Sequence, residues 1–559
     1  MVGRSHNFIG NRLVPAVCGL GLLFAPTAAV GQQGCSMVAE WSSCDLAFEL
    51  TPQDNSAQMT LSGEFRSPRH RTYLLNAFRE GSRMIFRFAP SEAGVWEYKL
   101  TSNVARWNDQ EGQLAAAAAP EAPGFVQVRN VHHFATEGNA KQHLWMAAAL
   151  DRFTEIPRPE FDKAVSDRAD GKYTHLRVTL APNTNLNEAV ERIRAINVKG
   201  LVVDLVLAAI PLEAQARQQY LTDIVARFAA LNITWSSGAG FEEIPHGRSV
   251  LKDAGTLLKR LDAYQHPRTA MASVTSAPLL GDAWMNIRSY GTTDANVGAV
   301  EHQLYQVPAI NTGIQSQKDL WNATMNGQYP ASGNGPYMKA WSAILSASRY
   351  WELEPYFDVD GGRAIALDGT EYLIYIEKPA LVELTVEKHG YDVAWFNPAT
   401  GEMTKAKEYN GEHFTGEPPD KSHDWVLRLS REGRKEGMLG SYKFESRRVP
   451  VQEVETDPQR VPFEVAAPVA DEISLSNPPK FSLKTKRETR ATRSLLVEWT
   501  AEVVLDGEGY RLAGSGREGT LRIPTSVANK LPGVVLMRVA ILNANGKAYT
   551  ADKVYRLTQ

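Results

Sequence analysis

Between Phe125 and about Tyr350, short apolar runs alternate with longer amphipathic ones, and this alternation restricts the possible folds more than any other feature of the chain. The apolar runs are His143–Ala149, Tyr173–Leu180, Gly200–Leu207, Ile233–Ser236, Thr269–Val274, Trp284–Tyr290, Val307–Thr312 and a weaker one at Gln328–Pro330. Between them lie NEAVERIRAI, LTDIVARFAAL, RSVLKDAGTLLKRLDAY and KAWSAILSASRYWE, whose apolar residues recur at helical spacing. Strand-length runs separated by such segments predict a parallel sheet wrapped by helices. Eight strands can close a (β/α)8 TIM-type barrel. An open doubly wound sheet shows the same alternation, but no glycine-rich phosphate loop follows any of these strands, so the barrel is the expected form.

The flanks have a different rhythm. MTLSGEF, YLLNAF and RMIFRFAPSEAGVWEYKLTS read as short strands, with Phe86–Leu100 as a hairpin turning at Pro90–Gly94, which predicts an N-terminal β-sandwich of Ig-like type. The alanines and prolines of Leu114–Pro123 read as a linker. After Glu352 the strand pattern returns in RAIALDG, EYLIYIEK, LVELTVEKHGYDVAWFNPATGEM and DWVLRL, a second sandwich ending near Arg431. The expected organisation is a signal peptide over 1–31, an N-terminal sandwich over 32–113, the barrel over 125–350, a sandwich over 351–431, a charged, proline-punctuated linker over 432–479 and a C-terminal β module over 480–559.

A chain of 559 residues needs several cores, and 43% hydrophobic with 22% charged residues is a globular composition. The net charge of −3, with both signs mixed along the sequence, calls for neither nucleic acid nor an anionic membrane. Arg4 and Arg12 precede the apolar stretch Leu13–Val30, which ends in Ala28, Ala29 and Gly31, the pattern of a cleaved secretory signal. A membrane anchor is the competing reading. Pro15 and Pro26 interrupt the stretch, and Gly19 and Gly21 loosen it, leaving it short of the ~20 residues a span needs. The expected location is therefore secreted or periplasmic, with no membrane span after cleavage. Cys18 leaves with the signal; Cys35 and Cys44 then form a short clasp or stay as free thiols.

Barrel enzymes place their working residues at the C-terminal ends of the strands. There the segments LWMAAALDRF, ITWSSGAGFEEIPHGRSVLKDAGTLLKRLDAYQHPRT, WMNIRSYGTTD, VPAINTG and LWNATMNGQYP resemble the apiosidase-like family of barrel glycoside hydrolases. ELEPYFDVDGGRAIALDG and YDVAWFNPATGE are similar to the C-terminal sandwich of that family, which carries a collagen-binding label. The resemblance runs from about Trp41 to Arg431. It implies an acid/base glutamate about five residues beyond a tryptophan of the fourth strand and a nucleophilic glutamate ending the seventh. Set on Trp235, the first position is Gly240; set on Pro308 and Asn311, the second is Gly313. Both expected carboxylates are glycine, and a hydrogen atom can neither donate a proton nor attack an anomeric carbon. A slipped register would bring Glu242 or Glu243 to the site, unless these acids simply begin the next helix.

The candidate substrate-binding residues are Asp151, Trp235, Asp282, Trp284, Tyr290 and Asn311, with barrel packing as the competing role for the aromatic ones. No cofactor is expected and no metal set is evident: His132 and His133 are neighbours, which suits opposite strand faces better than shared ligation. His266, before Pro267, reads as structural. Asp358-Val359-Asp360-Gly361-Gly362 has calcium-like spacing but lacks the later glutamate, so a tight turn is the expected role. The implied partner is a polysaccharide or other glycan, bound with a degenerate site or hydrolysed at its side chains. An adhesion protein contacting extracellular matrix or cell-surface polymer is the alternative.

Overall fold

The structure, a computed structural model, describes residues 35–54, 59–241, 247–294, 298–431, 455–457, 459–466, 472–477, 480–486, 496–505, 508–515, 517–521, 523, 531–542 and 548–559. The segment read as a signal peptide lies outside these residues.

All eight expected strands form. They are β1 Ala147–Ala149, β2 His175–Leu180, β3 Val202–Leu207, β4 Ile233–Ser237, β5 Arg268–Ala270, β6 Arg288–Tyr290, β7 Ala309–Asn311 and β8 Gln328–Pro330. Among the described residues seven α-helices accompany them: α1 Arg158–Asp170, α2 Leu186–Val198, α3 Ala214–Phe228, α4 Gly247–Leu261, α5 Ala299–Leu304, α6 Gln317–Met325 and α7 Tyr337–Ser346. Every pairing is parallel and sequential, in a five-stranded sheet β1–β5 and a three-stranded sheet β6–β8. No ladder joins the two sheets among the described residues, so a closed barrel is not formed in the strict sense. Isolated backbone bonds cross both seams: Asn286 N and Ile287 N donate to Arg268 O at 3.1 and 3.2 Å, and Gly333 N donates to Ala147 O at 3.0 Å. Among the described residues no helix is long and apolar enough to cross a membrane.

The N-terminal module has two sheets, as a sandwich requires, but Phe86–Leu100 is not a hairpin. Arg83–Phe88 pairs with Cys44–Glu49 and Phe78–Glu80, whereas Gly94–Ser102 pairs with Leu61–Arg66 and Glu111–Ala117 in the other sheet. The turn between them is a corner that crosses the sandwich. The reason is visible in the burial of Met84 through Phe88, which are enclosed on both faces where an exposed hairpin strand would alternate. Arg87 donates to Asp45 at 2.8 Å and to the carbonyl of Arg227 in α3 at 2.7 Å, docking the module on the helical layer. The alanine run is likewise no simple linker, because Leu114 and Ala116 are buried and alternate along the strand Glu111–Ala117. Cys35 and Cys44 are disulfide-bonded across a Cα–Cα distance of 5.5 Å.

After the parallel strands, the chain from Glu354 to Arg431 forms one eight-stranded sheet, bent through the long strand Val382–Phe396. It wraps a cluster that includes Tyr372, Ile374, Tyr391, Trp395 and Trp425. Its other face shares a core with the preceding domain: Ile365, Leu373, Tyr375 and Phe396 cluster with Trp321, Trp341 and Ile344. The rings of Trp321 and Tyr375 stack at 6.0 Å. Within 432–479, the strands Phe463–Ala466 and Glu472–Ser474 pair with Lys480–Thr485 and Ala548–Thr558, so the C-terminal β module begins earlier than residue 480.

Candidate functional site at the C-terminal ends of the parallel strands

The two faces of β4 do different work. Trp235 is fully buried and its indole Nε1 donates to Asp262 Oδ2 at 3.0 Å. Asp262 also accepts from the backbone N of His266 at 2.8 Å, with the His266 ring 3.1 Å away. Burial alone would raise the Asp262 pKa, but His266, Arg268 and the Trp235 indole together hold it below the usual carboxylate value. Trp235 is thereby committed to the helix side of the sheet and offers no ring to a ligand. Thr234 and Ser236 point the other way, onto Asp204 Oδ1 at 3.3 and 2.8 Å. Asp204 pairs with Arg177, which stands beside it in register on β2. Neither residue was singled out from the sequence; the signal available was a charged residue inside each of two buried strands, HLRVTL and VVDLVL.

Beyond β4 the chain turns through Gly238 and Gly240, at φ +73° and +69°. A side chain at 240 would point into open space, whereas one at 238 would meet Leu251 at 2.7 Å. Glu242 and Glu243 lie outside the described residues.

At the end of β7 the geometry is tighter. Asn311 Oδ1 accepts from Gly313 N at 2.7 Å, and its Nδ2 donates to Gln328 Oε1 at 2.8 Å and to Thr292 O at 3.2 Å. A Cβ at 313 would lie 2.8 to 2.9 Å from the backbone of Gly291 and Thr292, and one at 291 would lie 2.5 Å from Ser273 O. Three backbone segments, after β5, β6 and β7, therefore touch where the seventh-strand carboxylate is expected.

The remaining candidates do not converge. Tyr290 is buried; its hydroxyl donates to Glu301 Oε2 at 2.7 Å and accepts from Arg288 at 3.1 Å. Trp284 is buried against α4, where a Cβ at Gly255 would fall 2.1 Å from its ring. Asp282 sits 3.6 Å from Lys252, and Asp151 is exposed.

Beneath β1 and β2, the His143 imidazole is pushed down to about 4 by burial, and that of His175, stacked on Trp145 at 3.8 Å, is lowered well below its ordinary value. Depressed histidines leave the folded state short of protons relative to the unfolded chain. Stability is therefore expected to be fully present above about pH 6.5 and to fall as pH drops toward 4. Denaturant melts across that range should show the slope, and His143→Gln should flatten it.

Metal-ligating side chains converge elsewhere. Ligand atoms of His132, His302 and Glu354 lie within 4.8 Å of one another. Reading His132 and His133 onto opposite strand faces is corrected here: His132 lies in the turn before the strand His133–Thr136, so strand alternation does not govern it, and both rings reach Glu354. Within Asp358–Gly362 the expected turn is instead a short strand, Val359–Asp360 paired with Leu384 and Glu383, followed by a bend in which Gly361 has φ +82° and a Cβ would lie 1.9 Å from Leu381 O.

Residues 360–430 match the family described as "Putative collagen-binding domain of a collagenase". No curated protein matches the chain. Among solved structures, a "putative glycoside hydrolase" from Bacteroides vulgatus is similar at 15% identity and a TM-score of 0.62, over 71% of this chain and 100% of that one. A glycoside hydrolase family 5 structure from the same organism is similar at 13% identity and a TM-score of 0.48, over 59% of this chain and 97% of that one. The first of these likenesses shows a shared multidomain fold.

Proposed function

We propose that the chain is a secreted or periplasmic carbohydrate-active protein whose (β/α)8 barrel, of the apiosidase-like type, binds a polysaccharide or other glycan without hydrolysing it. The observation that carries this reading is the packing of Gly313 against Gly291 and Thr292, which leaves no room for a nucleophilic carboxylate after β7. Without that group, the covalent step of a retaining mechanism has no attacking atom. The backbone bonds across both seams support the barrel. Export draws support from the basic and apolar N-terminal pattern and from the Cys35–Cys44 disulfide, which suits an oxidising compartment.

The family match over 360–430 favours a second reading, in which the barrel is a scaffold and the following sheet contacts extracellular matrix or cell-surface polymer. A glycan array with purified protein, run beside release assays on arylglycosides, separates these readings. Saturable glycan binding without release is the expected result. Release that disappears in Glu242→Gln or Glu243→Gln would overturn the silent barrel in favour of an active glycosidase. Binding to matrix protein with no glycan signal would favour the scaffold reading.

A further inference from the structure

Near the N-terminal ends of β7 and β8, opposite the strand mouth, three distant segments meet on one carboxylate. His132 comes from the turn of the hairpin Val126–Arg129/His133–Thr136, His302 from α5, and Glu354 opens the bent sheet. His132 Nδ1 lies 3.0 Å from Glu354 Oε2, and His302 Nε2 contacts the same oxygen. His133 Nε2 lies 3.4 Å from Glu354 Oε1. The three rings are 5%, 4% and 2% exposed for His132, His133 and His302, so water does not mediate freely among them.

Proton placement makes this cluster more than a hydrogen-bonded staple. His132 Nε2 lies 2.9 Å from the carbonyl of Tyr305, an acceptor, so that nitrogen carries the hydrogen. In a neutral ring Nδ1 then has only a lone pair, and it faces a carboxylate oxygen that also has only lone pairs to offer. Something positive must lie between them. In addition, His302 Nδ1 is buried and makes no hydrogen bond, and His133 Nε2 and Glu354 Oε1, also buried, have only each other at 3.4 Å.

The geometry points to a divalent metal site of the zinc class, with His132 Nδ1, His302 Nε2 and a Glu354 oxygen as ligands, and with His133 Nε2 beside the other Glu354 oxygen. Two or three imidazoles with one carboxylate are the donors that zinc and its neighbours select. Bonds of about 2.0–2.1 Å in a tetrahedron put ligand atoms about 3.3 Å apart. The His132 contact to Glu354 Oε2, at 3.0 Å, is near that spacing, while His302 stands closer to the same oxygen and would draw back as an ion enters between them. Outer partners orient two of the rings: Tyr305 O holds His132, and the Tyr329 hydroxyl lies 2.6 Å from His133 Nδ1. The ion would pin the hairpin, α5 and the bent sheet together, as a structural site remote from the strand mouth.

The test uses the full chain, without a histidine tag, stripped with EDTA and titrated with Zn²⁺ by calorimetry and with Co²⁺ by visible absorption. Expected are about one equivalent of zinc per chain, a thermal midpoint several degrees higher with zinc, and the intense visible bands of a four-coordinate cobalt site. Glu354→Gln and His302→Ala, checked for folding by circular dichroism, should bind about 100-fold more weakly. A wild-type chain that takes up no zinc and melts at the same temperature with and without it would overturn the site and leave an imidazolium as the positive group. Undiminished binding by both variants would overturn it too.

Discussion

Gly313→Glu is expected to lower the stability of the chain by about 3 kcal/mol, measured by denaturant unfolding, and to restore no hydrolysis. The reason is local: a Cβ at 313 meets the backbone of Gly291 and Thr292 inside 3 Å, and backbone cannot step aside as a flexible side chain can. Gly313→Ala should already cost about 2 kcal/mol. The control is Gly240→Ala, where the space is open and only the left-handed backbone at φ +69° resists, at about 1 kcal/mol. If Gly313→Ala proved no worse than Gly240→Ala, the steric argument behind a silent barrel would fail.

The second large effect concerns the charge pair inside the parallel sheet. Asp204→Ala should destabilise by about 4 kcal/mol, because it strands Arg177 in a buried setting with its principal anionic partner removed. Asp204 also accepts from Ser236 and Thr234, so the loss unsatisfies two hydroxyls as well. Replacing both charges, as Asp204→Leu with Arg177→Met, should recover most of the loss, since an apolar pair of similar volume carries no desolvation cost. A double-mutant cycle measures the coupling directly. A double variant whose loss equals the sum of the two single losses would show that the charges act independently.

Much of this architecture was legible in the sequence, and the reasons for success and failure are physical. The eight parallel strands declared themselves because strands buried on both faces, such as VVDLVL at Val202–Leu207 with Asp204 as its one interruption, leave mostly apolar runs between amphipathic helices. The corner at Phe86–Leu100 was misread because a turn motif between two apolar runs looks the same whether the runs pair with each other or with strands of opposite sheets. The glycines at 240 and 313 were found by position, but position alone could not distinguish them: one faces open space and the other lies beneath a neighbouring backbone. Arg177 and Asp204 became partners only through strand register, and His132, His302 and Glu354 only through tertiary contact between segments more than 50 residues apart.

The shared core between the bent sheet and the parallel-strand domain bears on how the 360–430 segment can be handled. A cassette cut at residue 350 and grafted elsewhere would carry Ile365, Leu373, Tyr375 and Phe396 without the Trp321 and Trp341 that cover them. It would arrive with an unlined flank, sticky to itself and to bystanders, and any adhesiveness seen in such a fragment would report the cut rather than the protein. The strand Tyr409–Gly416, by contrast, is largely exposed in the intact chain, so any test of the matrix-binding reading is best made on the undivided chain.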